Sequence, residues 1–235
     1  MGSSYTLTAL VNGVNSLTPV LKYLSRYPIK VMLDLGCGYG VLSAIIAEYL
    51  GVQKLYLIDI DDGRLSYVRE TIVEKLKAAG VNIEVYNEDI CKLEKLVEVD
   101  LVTSFGVLEH VNCWDEFMEN IEMTLKPGGF LVISMPNLSS WLNRVALLLG
   151  YQPRDLEISQ QKLYGVLPYY RSHPPIGHIK TAVFKAFKEL LEDNGFQVLI
   201  AQSLYSKENL LVNIIDRLLN TPSLGRRFII LARRL

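Results

Sequence analysis

Cysteine and histidine are scarce in this chain: there are three of each, Cys37, Cys91 and Cys113, and His110, His173 and His178. The cysteines stand far apart with no Cys-x-x-Cys or Cys/His cluster, which excludes the common zinc spacings and makes a reducing compartment the expectation. His173 and His178 flank Pro174, Pro175 and Gly177, a segment unsuited to a helix, so no metal is expected. Charge of one sign is missing too: a net charge of -1 and a pI near 6.3 give no basic field that would draw nucleic acid. No apolar run approaches the roughly 18 to 20 residues that span a bilayer. Met1 to Ser16 also lacks the basic start and apolar run of a secretory leader. No transmembrane segment is expected, and the expected location is cytoplasmic.

What is present is the material of a core, with 50% of residues hydrophobic and 21% charged. Loose helical periodicity covers the first 28 residues until Pro28 breaks it. Apolar runs at Lys30 to Leu35, Lys54 to Asp59, Val81 to Tyr86, Val99 to Ser104 and Phe130 to Met135 read as buried strands. Between them, Val41 to Leu50, Asp61 to Ala79, Cys91 to Val97 and Trp114 to Leu125 read as helices, with Lys126 to Gly129 as a turn. A helix over Ala182 to Asn194, a strand over Phe196 to Ser203, a helix around Glu208 to Leu219 and a strand over Arg227 to Ala232 follow. Strands alternating with helices at this spacing predict βαβ units around a mostly parallel sheet, with ligands beyond the carboxyl ends of the strands. The rhythm breaks from about 136 to 177, a stretch holding several prolines together with Tyr151, Tyr164, Tyr169 and Tyr170. One domain spanning 1–235, with that stretch inserted as a substrate cap, is the expected organisation.

The most informative segment is Val31-Met32-Leu33-Asp34-Leu35-Gly36-Cys37-Gly38-Tyr39-Gly40. Glycines directly after a buried strand let backbone approach a nucleotide. A dinucleotide fingerprint requires its third glycine at position 41, where this chain has Val41. A carboxylate at Asp34, if it faces the loop mouth, would repel a pyrophosphate and favour a ligand carrying an ammonium and a sulfonium. Asp59 ends the second strand at a spacing suited to ribose hydroxyls. Asp89 with Ile90 follows the third strand, where the pair could meet an adenine or Asp89 could simply cap a helix.

The glycine loop, Asp59, Asp89-Ile90, Phe105-Gly106-Val107-Leu108-Glu109-His110-Val111 and Leu125-Lys126-Pro127-Gly128-Gly129 occur in that order. In this the chain resembles the class I, Rossmann-like S-adenosylmethionine-dependent methyltransferases over roughly residues 28–136, and more loosely over 178–203. The Leu108 to Val111 run is similar to that of quinone-biosynthesis-type and related small-molecule methyltransferases. The resemblance implies a three-layer α/β sandwich on a seven-stranded sheet, mostly parallel, with one antiparallel strand supplied by the tail after Gly225. It implies that Asp34, Gly36 and Gly38 hold the methionine end of the cofactor, Asp59 the ribose, and Asp89 and Ile90 the adenine. The stretch Phe105 to His110 would line the methyl-bearing side, and Cys37 and Ile60 complete the cofactor-binding set.

His110 is the best-placed imidazole for a proton acceptor, with Glu109 beside it, although both could instead orient the loop. His178, where the inserted stretch rejoins the core, is the second candidate base. The acceptor is read as small or lipid-like, methylated on oxygen or nitrogen, with a homodimer possible. Leu147 to Leu149 and the pairs Arg226-Arg227 and Arg233-Arg234 permit a membrane-edge reading, against a plainer one of apolar contact and solvated arginines. Nucleic acid is disfavoured, because Ser104-Phe105-Gly106 stand where an exocyclic-amine enzyme carries a Pro-Pro-aromatic loop, and no cysteine follows a proline. The alternative of another class is a noncatalytic protein that binds S-adenosylmethionine or a partner through the same fold.

Overall fold

The structure, a computed structural model, describes residues 17–93, 98–204 and 210–235. Helix α1 (17–24) buries Leu17, Val20, Leu21 and Leu24 against the sheet. The βαβ rhythm then runs through β1 (Val31–Leu35), α2 (Val41–Leu50), β2 (Lys54–Asp59), α3 (Asp62–Tyr67), α4 (Val73–Ala78) and β3 (Asn82–Asn87). It continues with β4 (Val99–Phe105), α5 (Trp114–Thr124) and β5 (Leu125–Pro136). After α6 (Trp141–Leu148) come α7 (Phe184–Asp193), β6 (Phe196–Leu204), α8 (Leu210–Leu218) and β7 (Arg227–Arg234).

The seven strands lie in the order β3-β2-β1-β4-β5-β7-β6. The first five are mutually parallel, and β7 runs antiparallel to both neighbours. The tail after Gly225 therefore supplies the antiparallel strand, in accord with the sequence reading. One buried cluster joins α1, α2, α3 and α4 to one face through Met32, Leu55, Leu57 and Leu101. The other packs α5 and α7 on the opposite face through Leu33, Tyr56, Ile58 and Val102. The result is a three-layer sandwich whose central strands are covered on both faces, as parallel strands require. Strand order reverses between β1 and β4, so a crevice opens beyond their carboxyl ends.

Several local expectations shift. The helix read over Asp61 to Ala79 is α3 and α4 joined by a π-helical turn, Val68–Ile72, with Asp61 Oδ1 capping at Arg64 N (3.1 Å). The helix expected over Cys91 to Val97 is a 3-10 turn, Ile90–Lys92, while residues 94–97 and Glu208 lie outside the described residues. The Lys126 to Gly129 turn is absorbed into β5, where Lys126 Nζ reaches Asp100 Oδ1 at 2.6 Å and Gly128 O accepts from Arg233 Nε at 3.1 Å. Cys91 and Cys113 are joined as a disulfide, with Cα atoms 5.6 Å apart, because the turn after β3 lies beside the start of α5. Cys37 is then the free thiol, and the disulfide stands against the reducing compartment expected from the cysteine spacing.

The irregular stretch leaves the sheet after β5 and returns where it left: Asn137 pairs with Ala182, and Leu138 N donates to Ala182 O at 3.0 Å. Buried Asn137 holds this junction, its Nδ2 donating to Pro222 O (3.0 Å) and Gly225 O (2.9 Å). No helix among the described residues is long and apolar enough to cross a membrane.

Candidate active site

Backbone geometry organises the first loop. Gly36 N and Cys37 N both donate to Ile58 O at 2.9 Å, which fixes the turn after β1 to the end of β2. Gly36 has φ +73, and a Cβ there would come within 2.3 Å of Val107 Cγ2, so no side chain fits. Gly38, at φ +56, faces open space. Its N–H donates to Asp59 Oδ2 at 2.7 Å, while Asp59 Oδ1 accepts from Asp61 N at 2.9 Å. Asn87 Nδ2 donates to Asp59 O and Ile60 O at 3.1 and 3.0 Å, tying the third loop to the second.

These loops, with the one after β4, enclose a cavity of about 240 Å³. Gly36, Asp59, Ile60, Asp89, Ile90 and Gly106 line it, as does His110. Val107 and Val111, from the run after the fourth strand, also line it, as does Glu88, which was not singled out from sequence although it directly precedes Asp89. Asp89 caps the short 3-10 turn through Oδ1 to Cys91 N (2.9 Å), the plainer of its two readings, and still borders the cavity. Ile60 is 71% exposed at the rim.

Four members of the expected cofactor set do not line this cavity: Asp34, Cys37, Gly38 and Phe105. Asp34 is turned inward and 3% exposed, its Oδ1 accepting from Thr103 Oγ1 at 2.6 Å and its Oδ2 from Ser43 Oγ. Burial pushes its carboxyl up to about 6, against the opposing pull of those two hydroxyls. Asp34 thus does not face the loop mouth, and the selectivity argument drawn from it passes to the carboxylates that do line the cavity: Asp59, Glu88 and Asp89. Cys37 is half-buried, and burial pushes its thiol pKa upward. Phe105 packs into the core beside β1. Trp114 is buried in α5, where its indole N–H donates to Leu108 O at 2.8 Å.

The three proposed catalytic side chains converge. Glu109, His110 and His178 place their ligating atoms within 4.8 Å of one another, a grouping that a metal could also use. A guanidinium already sits there: Arg227 Nη2 donates to Glu109 Oε1 at 2.9 Å. Glu109 is 1% exposed, and its backbone carbonyl accepts from Ile179 N at 2.8 Å. His110 Nδ1 lies 2.9 Å from Gly177 O. A carbonyl only accepts, so Nδ1 carries the proton and Nε2 the lone pair in the neutral ring. The ring centroid of His178 is 5.1 Å from that of His110. Burial, with His110 and Arg227 nearby, lowers the pKa of His178 to about 3, so this ring is neutral at working pH.

A second cavity of about 230 Å³ lies across this cluster, between the 137–182 excursion and the start of β7. His178 and Arg227 line it, and of the four tyrosines expected to form a pocket, Tyr170 does so. Tyr164 and Tyr169 are exposed. Arg226 is buried and bound to Asp216 through Nε and Nη2, at 2.9 and 2.8 Å to Oδ2, and so is not the solvated arginine expected of a strand end.

A family model described as a methyltransferase domain matches residues 16–200. A ubiquinone biosynthesis O-methyltransferase of Rickettsia bellii is 31% identical over 125 residues, 51% of this chain and 45% of that protein. A malonyl-[acyl-carrier protein] O-methyltransferase of Ilyobacter polytropus is 26% identical over 129 residues, covering 55% and 48% respectively. The chain thus matches less than half the length of these relatives. An S-adenosylmethionine dependent methyltransferase from Mesorhizobium loti superposes with TM-score 0.60 at 16% identity, covering 93% of this chain and 98% of that one. The strand order, the acid-lined crevice and the extent of the family match lead to one conclusion: this chain belongs to the methyltransferase-domain family, in the class I, Rossmann-like group that uses S-adenosylmethionine.

Proposed function

We propose that this protein methylates an oxygen or nitrogen of a small-molecule or lipid-like acceptor. The observation that carries this reading is the cavity beyond β1, β2, β3 and β4, bounded by the closely packed backbone of Gly36 and by three carboxylates. Three acids repel a phosphate and attract a cationic ligand. The donor set fits S-adenosylmethionine. Asp59 uses each carboxylate oxygen once for backbone N–H groups and keeps acceptor capacity for ribose hydroxyls. Ile60 and Ile90 offer apolar surface to a purine, and Asp89 a carboxylate to its amino group.

When bound, the cofactor supplies a methyl on a sulfonium sulfur, a good leaving group, so alignment supplies much of the acceleration. The chain's part is to align and to take a proton. His110 Nε2 accepts the acceptor's proton, with Gly177 O fixing the tautomer. Glu109 is a positioning residue: Arg227 holds its carboxylate, and its carbonyl anchors the returning segment at Ile179. His178 stays neutral and orders the passage between the two cavities. The 137–182 excursion walls the second cavity and serves as the substrate cap.

Support for a small acceptor comes from similarity to enzymes named for ubiquinone biosynthesis and for malonyl-[acyl-carrier protein]. Support for a lipid-like one comes from α8, which turns Asp216 inward and leaves Leu210, Leu211, Ile214 and Leu218 exposed. Helix α6 beside it exposes Leu147, Leu148 and Leu149 at its end, and Trp141 Nε1 joins the two helices by donating to Asp216 Oδ1 at 2.8 Å. The test is transfer of a labelled methyl from S-adenosylmethionine into a host metabolite extract, with mass identification of the product. Labelling of a small or amphiphilic molecule is expected; labelling confined to nucleic acid, or none with purified cofactor bound, would defeat the reading.

A further inference from the structure

The second cavity holds a cation without an ion-pair partner among the described residues. Three arginines line it: Arg154, Arg226 and Arg227. Arg226 is committed to Asp216 and Arg227 to Glu109. Arg154 has no ion pair among the described residues, its guanidinium lies 4.8 Å from the Tyr170 ring centroid, and its Nε is buried without a hydrogen-bond partner. Leaving a charged donor dry and unsatisfied is unfavourable in a folded protein unless something arrives to accept from it. The remaining acid, Asp155, accepts from Asn143 Nδ2 at 3.0 Å, and burial raises its pKa against the opposing pull of Asn143 and the three arginines. His178 is neutral. Leu142, Tyr170 and Ile176 supply apolar wall.

We propose that this cavity binds an anionic group of the methyl acceptor, a carboxylate or a phosphate, with Arg154 as its principal cation. The planar guanidinium fork matches either oxyanion, and stacking on Tyr170 fixes its plane. The placement is productive: His178 lines this cavity, and its ring is adjacent to His110, which lines the cofactor cavity. An acceptor anchored by its anion at Arg154 extends its nucleophile past His178 toward the methyl-bearing side. That the anion belongs to a methyl acceptor rests on the function proposed above; that the cavity takes an anion does not.

The test is calorimetric titration of the full chain, saturated with S-adenosylhomocysteine so that the cofactor cavity is filled, using benzoate, phenyl phosphate and neutral benzamide as probes. At least one anion is expected to bind and benzamide is not, with the preferred anion separating carboxylate from phosphate. Arg154→Gln is expected to weaken the bound anion about tenfold or more, and Arg154→Lys to restore part of it. S-adenosylhomocysteine affinity serves as the folding control and is expected to be unchanged in both variants. Equal binding of benzamide, undiminished anion binding by Arg154→Gln, or no anion binding up to millimolar concentration would overturn the proposal. Failure of the wild type to bind S-adenosylhomocysteine would instead sink the methyltransferase reading, and the anion titration of the unliganded chain would still decide this one.

Discussion

Replacing Asp34 by Asn tests the inward placement of this carboxylate through the pH dependence of stability. The side chain is 3% exposed and accepts hydrogen bonds from Thr103 and Ser43. Its carboxyl is raised from 3.8 to about 6 by burial. Below about pH 4 the group is protonated in folded and unfolded chains alike and contributes no pH dependence. As pH climbs from there to about 6, the unfolded chain releases the proton first, so wild-type stability falls across that window and stays lower above it. A shift of about two units at ~1.4 kcal/mol each sets the scale at roughly 3 kcal/mol. Asn is isosteric and uncharged and can serve both hydroxyls, one as donor and one as acceptor, so it escapes this loss. Urea denaturation of both proteins between pH 4.5 and 7 is the assay, and the difference between them cancels the other carboxylates. The variant is expected to gain on the wild type as pH rises, levelling above pH 6. A difference that is flat with pH, or one in which the wild type gains toward pH 7, would mean that the Asp34 carboxylate is not desolvated in the folded chain.

Asp59→Ala removes the carboxylate from the cofactor cavity and is expected to weaken S-adenosylmethionine binding by the order of 1 to 3 kcal/mol, read by calorimetry; unchanged affinity would remove Asp59 from the site. His110→Gln is expected to lower kcat about 100-fold or more with little change in cofactor affinity. A variant with wild-type kcat would leave His110 as a loop residue only. Thiol titration of the denatured, unreduced protein should count one free thiol, Cys37. Opening the Cys91–Cys113 loop, with a sequence separation of 22, should cost about 3 kcal/mol by chain entropy, measured as lost stability under reductant. Three free thiols before reduction would contradict the pairing.

The sheet was legible because its strands are short apolar runs punctuated by glycine and proline, and such runs define a parallel sheet whatever their partners. The cofactor loops were legible for a related reason, since each lies immediately after a strand and is addressed by chain position alone. Asp34 was misplaced although the signal existed. Side chains alternate along β1, so Asp34 shares a face with Met32, which packs toward α2, and Ser43 of α2 waits there. The exposed loop mouth begins only at Gly36. The second cavity was hidden for a stronger reason. Arg227 meets Glu109 across 118 residues, which leaves no local pattern, and Asp216 and Arg226, ten residues apart, pair only because the chain folds back between α8 and β7. Arginines at a strand end look solvated until the elements covering them are known. Cys91 and Cys113 likewise come together only when α5 docks beside the turn after β3.

A crevice walled by Asp59, Glu88 and Asp89 is expected to select a cationic sulfur nucleoside over one bearing phosphates. Calorimetric titration of the intact chain with S-adenosylmethionine, S-adenosylhomocysteine and NAD measures this directly. One-site binding of both sulfur nucleosides, with no detectable heat from NAD, is the predicted result; tight NAD binding, or silence toward both sulfur nucleosides, would contradict it.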